Sequence, residues 1–404
     1  MTAPMITERM PPYPTRRPEV IAAAVDALQR GEWARLEGVP ETEAALREYH
    51  GGSHVWFISS GTAALEAILL GHGIGPGDEV ITTPYTWGAT VSAILAIGAI
   101  PVFADIDPIS GLLDPDTVES CITPRTRAIL AVHLFGHPCD AVRLRGIADR
   151  HGLFLFEDGS QAHGARLHGR VVGRFGQASA FSCMGLKLLA GTEGGYCLFE
   201  DGEAEANAWL YGRHPRGMDP ARRERLAQGG LLDALQLGWR PCAVSAALVR
   251  AALPWLDSEN ATRRRNAACL RTRLEGVRGI TLPPEIPGAQ GCYHLLSLVV
   301  HSEEIGVSRD EFLRRMNAQG AGAFVYIPVP IHQLPRLNPH NYKGPRVLWH
   351  DALLRAGVDY RETKCPGAEW RSAHTIELGF NWTLDNPHAM EQLAAAVRAA
   401  ASPS

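Results

Sequence analysis

A single lysine, Lys187, stands in the otherwise nearly uncharged segment FSCMGLKLLAGTEGG, five residues after Ser182. Burial of a lysine amine costs free energy unless the amine is paired or neutralised. Lys187 is therefore either a surface residue whose aliphatic stem lies on apolar neighbours, or an amine kept partly dry as a nucleophile. Taken alone, the segment favours the surface interpretation, so the choice depends on the rest of the chain.

The segment FEDGSQAHGA offers a carboxylate and an amide in one turn, at Asp158 and Gln161. A carboxylate at the end of a buried strand needs a cationic partner or several hydrogen-bond donors. Asp158 either caps the following helix or faces a protonated heterocyclic nitrogen, and both interpretations stay open. Gln161 is placed to donate to a ring oxygen from the same turn.

Two more segments suggest contacts to a flat, phosphorylated ligand. In SSGTAAL, the residues Gly61, Thr62 and Ala63 open a helix, whose N–H groups and positive dipole end can hold a phosphate. The alternative is an ordinary helix cap by Ser60 or Thr62. In PYTWGAT, the indole of Trp87 is either a stacking surface for an aromatic cofactor or a core aromatic.

Each of these signals is ambiguous, but together they describe one ligand. They supply a phosphate cradle, an aromatic cover, a carboxylate for a pyridinium nitrogen and an amine for a Schiff base, which is the set that pyridoxal 5′-phosphate requires. Lys187 is then predicted to be the nucleophile. The glycines of GHGIGPGDEV precede a strand where a dinucleotide fingerprint would follow one, so a nicotinamide cofactor is not predicted.

The elements that must position these residues alternate between helical and strand patterns from about residue 43 to 200. Continuous apolar strands such as IPVFADID and TRAILAV predict a mostly parallel sheet covered on both faces, with its ligand site at the carboxyl ends of the strands. From about residue 279 the pattern predicts a smaller α+β unit. We predict an N-terminal arm with a large cofactor-binding domain in residues 1–250 and a small C-terminal domain in residues 251–404. Near the start of the second domain, the charged run Arg263–Arg265 predicts a solvated helix face.

Composition excludes several classes of function. The 404 residues carry 39 basic and 43 acidic side chains without a basic stripe, so neither a nucleic acid nor a membrane surface is a predicted partner. The eight cysteines form no C-x-x-C pair, which predicts neither a metal site nor a disulfide framework. The start of the chain has no apolar signal region, and the most apolar run is interrupted by Gly98 and Pro101. The cytoplasm is the predicted location.

The order and spacing of the motifs, from roughly residue 31 to 384, resemble the DegT/DnrJ/EryC1/StrS family of pyridoxal-phosphate aminotransferases acting on sugars and cyclitols. The segments that carry the resemblance are SSGTAAL, TPYTWGAT, FADIDP, VHLFGHPCD, EDGSQAHGA, FSCMGLK and GTEGG. The resemblance implies the aspartate-aminotransferase fold, fold type I: an α/β fold with a mostly parallel central sheet plus a smaller C-terminal α+β domain. The segments GEWARLEG and CPGAEWRSAHTIELGFNWTL resemble the branch of 3-amino-5-hydroxybenzoate synthase and the scyllo-inosose aminotransferases.

The resemblance also implies roles for single residues. Lys187 carries the Schiff base and moves the proton, and Asp158 keeps the ring nitrogen protonated. The other implied cofactor contacts are Gln161 to the phenolic oxygen, Trp87 to the ring face, and Ser182, Gly61, Thr62 and Ala63 to the phosphate.

Substrate and partner contacts are implied in the same way. His163 either touches substrate or packs against the ring, and Tyr326 and His332 in YIPVPIHQL are candidate substrate contacts or plain loop residues. Family members reach into the neighbouring subunit with N-[YF]-R-[ML]. Here the segment reads GWRPC, with Gly238 in place of the asparagine and with Trp239 and Arg240 retained. A homodimer is therefore predicted, and our hypothesis is that it lacks one contact to the cofactor phosphate. The alternatives are that the Trp239 indole N–H or a water fills this position, or that Gly238 makes room for a bulkier substrate.

The predicted reaction is a ping-pong transfer of an amino group. Glutamate or glutamine is the predicted donor, and a keto-sugar, keto-cyclitol or related natural-product intermediate is the predicted acceptor. A histidine replaces the lysine in the dehydratase branch, so Lys187 favours transamination. The alternatives are a dehydratase, an aromatising synthase or another carbanion reaction on the same scaffold, and a non-catalytic pyridoxal-phosphate-binding regulator.

Overall fold

A computed structural model describes residues 5–32, 36, 38–52, 54–212, 220–228 and 235–402. The segment GEWARLEG, residues 31–38, therefore lies partly outside the described residues. The strands are β1 (His54–Ile58), β2 (Glu79–Thr82), β3 (Ile100–Phe103), β4 (Thr126–Val132), β5 (Phe154–Asp158), β6 (Arg166–Leu167), β7 (Arg170–Val171), β8 (Ala178–Ser182), β9 (Gly195–Phe199), β10 (Ile280–Thr281), β11 (Ala289–Gln290), β12 (Leu295–Val300) and β13 (Thr375–Gly379).

Helices cover both faces of the sheet and recur throughout the second half of the chain. They are α1 (Pro18–Gln29), α2 (Val39–Tyr49), α3 (Gly61–Gly71), α4 (Ala89–Ala96), α5 (Pro115–Val118), α6 (Ala141–His151), α7 (Gly202–Gly212), α8 (Pro220–Gln228), α9 (Ala243–Ala252), α10 (Leu256–Leu274), α11 (Ser302–Ile305), α12 (Arg309–Ala318), α13 (His350–Arg355), α14 (Pro366–His374) and α15 (Pro387–Ala401).

In the part of the chain that the structure describes, seven strands form the central sheet in the order β1-β9-β8-β5-β4-β2-β3. Strands β3, β2, β4, β5 and β8 are parallel, whereas β9 runs antiparallel between β8 and β1. Strand β4 is buried along almost its whole length because its continuous apolar sequence meets helices on both faces. The predicted α/β fold with a mostly parallel sheet is confirmed.

A smaller antiparallel sheet, β10-β12-β13, forms the centre of the second unit. It has its own hydrophobic core, in which Leu298 of β12 packs with Leu270, Phe312 and Val397 from helices α10, α12 and α15. The predicted α+β character of this part is confirmed. The proposed division between residues 250 and 251 falls inside α9, and the exact domain boundary stays a prediction.

One charged residue of the predicted solvated run is buried. Arg263 is 1% exposed, because its guanidinium donates to Asn260 Oδ1 at 2.8 Å, Glu259 Oε2 at 3.1 Å and Asn381 Oδ1 at 2.8 Å. The prediction of a solvated face is wrong for Arg263, since a pattern of charges does not reveal an acceptor such as Asn381, which lies 118 residues away. None of the helices among the described residues has the length and apolar character needed to cross a bilayer.

The N-terminal segment before α1 lies across the second unit. Asn381 Nδ2 donates to the carbonyl oxygen of Pro12 at 2.8 Å, and the Thr7 N–H donates to Gln392 Oε1 at 2.9 Å. The hydroxyl of Tyr13 donates to the carbonyl oxygen of His294 at 2.9 Å. These contacts bring the N-terminal segment to the edge of the central sheet where most of the predicted site residues lie.

Candidate active site

A cavity of about 530 Å³ opens at the carboxyl edge of the parallel strands. Its sheet wall, formed by residues at the strand ends and the start of α3, includes Gly61, Thr62, Trp87, Asp158, Gln161, Ser182 and Lys187. Its outer wall, formed by the N-terminal segment and the second unit, includes Met10, Tyr13, His294, Leu295, Phe324 and Tyr326. The structure therefore brings eight of the predicted site residues to one cavity.

Lys187 lies in a loop after β8 that is closed by backbone hydrogen bonds. The Cys183 N–H donates to the Gly194 carbonyl at 2.8 Å, and the Gly191 N–H donates to the Cys183 carbonyl at 2.7 Å. Ser245 of α9 anchors the far side of the loop through a 2.7 Å hydrogen bond between its hydroxyl and that of Thr192. The loop is thus held at both ends while its lysine side chain reaches the cavity.

The side chain of Lys187 is half-buried in the cavity wall. Burial lowers its pKa from the ordinary value, and the nearby Asp158 carboxylate and Cys183 thiol offset only part of that effect. Among the described residues, this amine has no hydrogen-bond or ion-pair partner. A lysine that is poorly solvated and unpaired has a raised neutral fraction, which is the nucleophilic form.

Asp158 ends β5 with its carboxylate in the cavity wall. It is 5% exposed, and Oδ2 accepts a hydrogen bond from Thr90 Oγ1 at 2.8 Å while Oδ1 accepts from the Ser160 N–H at 3.1 Å. The second bond closes a turn, and no helix lies between β5 and β6, so the interpretation of Asp158 as a helix cap is wrong. The first bond fixes the carboxylate toward the cavity, and its contact with a ring nitrogen stays a prediction.

The neighbouring Glu157 points to the opposite side of the strand. Its carboxylate accepts hydrogen bonds from the N–H groups of Gly173, Phe175 and Gly176, each at 2.7 Å, and pairs with His133 Nε2 at 3.0 Å. Burial opposes ionisation of this carboxylate, but the His133 and backbone donors hold its pKa below the ordinary value. Glu157 therefore fastens the turn after β7 to the sheet and takes no part in the cavity.

Gln161 is held with its amide nitrogen toward the outer wall. Its Oε1 accepts a hydrogen bond from the Phe135 N–H at 2.7 Å, and its Nε2 donates to the Tyr326 hydroxyl at 2.8 Å. The first bond settles which end of the amide is the donor, because a backbone N–H cannot accept. Tyr326 thus contacts a predicted cofactor residue directly, and its ring lies 5.8 Å from that of Trp87.

The start of α3 combines a helix cap with a close approach to β8. Ser60 Oγ accepts from the Ala63 N–H at 3.1 Å, so that donor is already used, and Ala63 does not line the cavity. A Cβ atom at Gly61 would lie 2.6 Å from the Cβ of Ser182, so only glycine permits this approach. Gly61 and Thr62 remain at the cavity with the positive end of the helix dipole.

The indole of Trp87 is not a core residue. It is 60% exposed and lines the cavity, as does Leu186, which is 57% exposed. An aromatic ring that is anchored in the wall but open on one side can stack on a flat ligand. The core interpretation of Trp87 is therefore wrong.

Two histidines predicted near the substrate lie outside the cavity lining. His163 is buried, with its ring centroid 5.4 Å from Phe181 and 6.1 Å from Tyr196, because the turn after Gln161 directs it into the core. His332 is also buried, pairs with Glu369 at 3.2 Å and lies beside Phe103. This geometry gives neither side chain a substrate contact.

In the segment predicted to reach a neighbouring subunit, Trp239 is buried whereas Arg240 is exposed. Trp239 packs in the core of its own chain, 6.2 Å from Trp56, and its indole N–H donates to Glu66. The Trp239 indole N–H therefore does not replace the missing phosphate contact. The prediction that Trp239 reaches a partner subunit does not fit the structure. Arg240 is exposed, and Gly238 has a positive φ of 72°, where an added Cβ would meet no atom within 4 Å.

Packing requires a glycine at position 159, directly after Asp158. A Cβ at Gly159 would lie 2.3 Å from the ring of Phe181, so the bulky ring excludes alanine at this position.

Met10, Tyr13, His294 and Phe324 also line the cavity but were not predicted. Their sequence surroundings carry no motif, because the N-terminal segment and the second unit bring them to the cavity only through tertiary packing.

Comparison with known proteins supports the predicted family. The model of the DegT/DnrJ/EryC1/StrS aminotransferase family matches residues 14–352. The chain is 37% identical over 324 residues to the dTDP-3-amino-3,4,6-trideoxy-alpha-D-glucose transaminase of Streptomyces venezuelae, covering 80% of this chain and 81% of that protein. It is 35% identical over 345 residues to an L-glutamine:2-deoxy-scyllo-inosose aminotransferase of Micromonospora echinospora, covering 81% and 80%.

A solved structure agrees with the fold as well. The crystal structure of 3-amino-5-hydroxybenzoic acid synthase superimposes with a TM-score of 0.82 at 27% identity, covering 99% of each chain. Both subgroups that the sequence resembles thus occur among its relatives and structural neighbours. With the family model matching most of its length, the chain belongs to the DegT/DnrJ/EryC1/StrS aminotransferase family.

Proposed function

We propose that the protein transfers an amino group from glutamate or glutamine to a keto-sugar, a keto-cyclitol or a related natural-product intermediate. The observation that carries this proposal is the half-buried, unpaired amine of Lys187 in the same cavity wall as Asp158 and the start of α3. No structural role accounts for such an amine, because desolvation costs free energy that no partner repays. Covalent chemistry with a carbonyl does account for it.

The residues of the sheet wall fit the cofactor of this family. Pyridoxal 5′-phosphate, when bound, supplies an aldehyde for the amine and a ring that accepts electrons from the substrate carbon. Lys187 would hold it covalently, the Asp158 carboxylate would accept from its ring N–H, and Gln161 would donate from Nε2. The start of α3 and the Ser182 hydroxyl would hold the phosphate, and Trp87 would cover the ring.

Lys187 has a second role in this proposal. Its neutral amine takes the proton from the amino-bearing carbon of the donor and returns a proton to the keto carbon of the acceptor. A desolvated lysine suits both steps because its pKa lies closer to neutrality than that of a solvated one. The fixed Asp158 carboxylate keeps its orientation during these transfers, since Thr90 and Ser160 hold its two oxygens.

We further propose that two chains form a symmetric homodimer. Ile21, Val25 and Leu28 are exposed on one face of α1 at spacings of four and three residues, which is the pattern of a helix face awaiting a partner. Trp87 and Leu186 add exposed apolar surface at the cavity rim. Sedimentation of the active protein at twice 43.8 kDa is expected, and an active species of one chain would contradict the dimer.

The cytoplasm remains the proposed location. All eight cysteines lie in the described residues, and none forms a disulfide. Five of them, including Cys183 and Cys292, are buried, and burial raises the pKa of both of these thiols and keeps them unreactive. Free thiols of this kind fit a reducing compartment.

A half-reaction test separates this function from the alternatives. The protein with bound pyridoxal phosphate is mixed with L-glutamate or L-glutamine, and its spectrum is followed for conversion to the pyridoxamine form. With L-glutamate, 2-oxoglutarate equal to the converted cofactor supports transamination. A protein that binds the cofactor but converts none of it with any amino acid would indicate a dehydratase, an aromatising synthase or a non-catalytic regulator.

A further inference from the structure

The outer wall of the cavity is mainly apolar and contains one imidazole. Met10, Tyr13, Leu295 and Phe324 supply apolar surface, and His294 stands among them. In pockets of this composition, a few polar groups at fixed places set the orientation of the ligand and its specificity. His294 was not predicted as a site residue, and the proposed cofactor contacts leave it unused.

The ring of His294 is clamped in place. The residue comes just before β12 and is 7% exposed, and the Tyr13 ring meets it edge-on with centroids 6.1 Å apart. The Tyr13 hydroxyl also donates to the His294 carbonyl oxygen at 2.9 Å. The hydrogen bond holds the backbone of His294, and the imidazole cannot turn away without losing its ring contact with Tyr13.

The two ring nitrogens differ in access. Nδ1 is fully enclosed and has no hydrogen-bond partner in the described part of the chain. Nε2 is not enclosed in this way, and among the described residues it has no partner either. Since His294 lines the cavity, Nε2 is the nitrogen that can meet a ligand.

The imidazole is neutral, and its proton belongs on Nε2. Burial lowers the pKa of His294 well below the ordinary value, and Lys187, His163 and Arg263 lower it further. An enclosed N–H without an acceptor is rarer and costs more than an enclosed lone pair, so the tautomer with Nε2–H is preferred. A neutral Nε2–H can donate to an uncharged oxygen but cannot compensate a phosphate charge.

We propose that His294 is a specificity-determining residue whose Nε2–H donates to a hydroxyl of a neutral, polyhydroxylated ketone acceptor. The apolar groups of Tyr13 and Phe324 would then pack on the carbon faces of the same ring-shaped ligand. This inference rests on the proposed aminotransferase function and assigns to His294 the recognition of a hydroxyl on the acceptor ring.

The test measures the two half-reactions separately. The donor half-reaction uses L-glutamine, and the acceptor half-reaction uses the pyridoxamine form with 2-deoxy-scyllo-inosose or with cyclohexanone, which lacks hydroxyl groups. The variants are His294→Leu, which removes the donor, and His294→Gln, which keeps an amide donor. His50→Gln is the matched control, because His50 is also buried and neutral but does not line the cavity.

His294→Leu is expected to lower the acceptor kcat/KM about 10-fold for 2-deoxy-scyllo-inosose, the loss of one neutral hydrogen bond. Reaction with cyclohexanone and with L-glutamine is expected to stay within about two-fold. His294→Gln should lose less than His294→Leu, and His50→Gln should match the wild type. A merely structural role for His294 would lower the rates for both ketones alike.

Two other results would overturn the inference. One is a His294→Leu protein, or His294→Gln if the first does not fold, whose preference for the hydroxylated ketone equals that of the wild type. The other is a wild-type protein that converts with L-glutamine but does not favour 2-deoxy-scyllo-inosose over cyclohexanone, which would leave the aminotransferase function standing. Failure of the L-glutamine and L-glutamate half-reactions would instead refute the function itself.

Discussion

The two walls of the cavity differ in origin and in chemistry. The sheet wall comes from strand ends and the start of α3, and its polar groups are fixed by short hydrogen bonds, such as that of Asp158 to Thr90 at 2.8 Å. The outer wall comes from chain segments hundreds of residues apart, since Tyr13 bonds the carbonyl of His294 across 281 positions. Its surface is apolar apart from a few polar atoms.

The two walls therefore serve different purposes: the sheet wall serves the transamination reaction, and the outer wall serves the choice of acceptor. The sheet wall holds groups that any transamination needs, namely an amine, a carboxylate and donors for a phosphate. The outer wall holds groups that suit one shape and polarity of acceptor. Substitutions in the sheet wall should therefore impair both half-reactions, whereas substitutions in the outer wall should impair mainly the acceptor half-reaction.

The largest effect is expected for Lys187→Ala. Nucleophile and proton carrier are lost together, so steady-state turnover and both half-reactions should fall to near background. Stopped-flow spectra with L-glutamine measure the donor half-reaction directly. A variant that retains even a tenth of the wild-type rate would show that the sheet wall does not hold the reacting amine.

The second-largest effect is expected for Asp158→Asn. The amide keeps the shape of the side chain but removes the charge that holds the ring proton, and the half-reaction rates should fall on the order of 10³-fold. Cofactor should still bind, which equilibrium dialysis can measure. A rate near that of the wild type would reduce Asp158 to the turn cap shown by its bond to Ser160.

Glu157→Gln tests whether the carboxylate beside Asp158 is structural, as its four partners indicate. Because its folded-state pKa is depressed, its stabilisation is present above the unfolded pKa of about 4.5 and is lost as the pH falls below it. At pH 7 the variant should lose about 3 kcal/mol of unfolding free energy. Urea titrations at pH 7 and at pH 4 measure the loss.

The loss of stability at acid pH tests the structural role of the ionised Glu157 carboxylate. Between pH 7 and pH 4 the wild type should lose more stability than Glu157→Gln, whose amide does not titrate. Equal pH dependence of the two proteins would show that the ionised carboxylate does not stabilise the fold.

Gly238→Asn probes the contact that the family asparagine makes across the dimer. If that contact is missing here, restoring it adds a hydrogen bond to a charged phosphate, which would tighten cofactor binding roughly 10- to 150-fold. The backbone of Gly238 has φ of 72°, a conformation that asparagine tolerates better than most residues, and a Cβ meets no atom within 4 Å. Unchanged or weaker affinity in a folded dimer would mean that the site holds the phosphate without that contact.

The smallest effect is expected for Tyr326→Phe. Tyr326 links the two walls through its hydrogen bond with Gln161. The substitution removes the acceptor of the 2.8 Å bond from Gln161 Nε2 while keeping the ring against Trp87. We expect a shifted absorption maximum of the bound cofactor and a rate loss of about 2- to 13-fold. An unchanged spectrum would show that Tyr326 does not position Gln161.

The sheet wall could be predicted from the sequence because its residues follow strand ends that are recognisable as apolar runs. Asp158, Ser182 and Lys187 lie at or just beyond β5 and β8, and parallel strands bring such ends together. Their roles were implied by the family resemblance, and geometry alone places them at one cavity. The histidines at 163 and 332 were misplaced because sequence proximity to a site residue does not fix the direction of a side chain.

The outer wall could not be predicted because its position depends on long-range packing. Tyr13 reaches the cavity only because Asn381 holds the Pro12 carbonyl and because the second unit lies against the sheet. His294 precedes an apolar strand, where one imidazole gives no sign of its environment. Arg263 is similar, since its acceptors on Asn260 and Asn381 are visible only in the folded chain.

The most direct test of the central claim is the site of covalent attachment of the cofactor. The protein with bound pyridoxal phosphate is reduced with borohydride, digested and mapped by mass spectrometry, with Lys187→Ala treated in parallel. The Schiff-base role of Lys187 predicts a stable adduct on this residue in the wild type and none in the variant. An adduct on any other lysine, or an equal yield in Lys187→Ala, would contradict it.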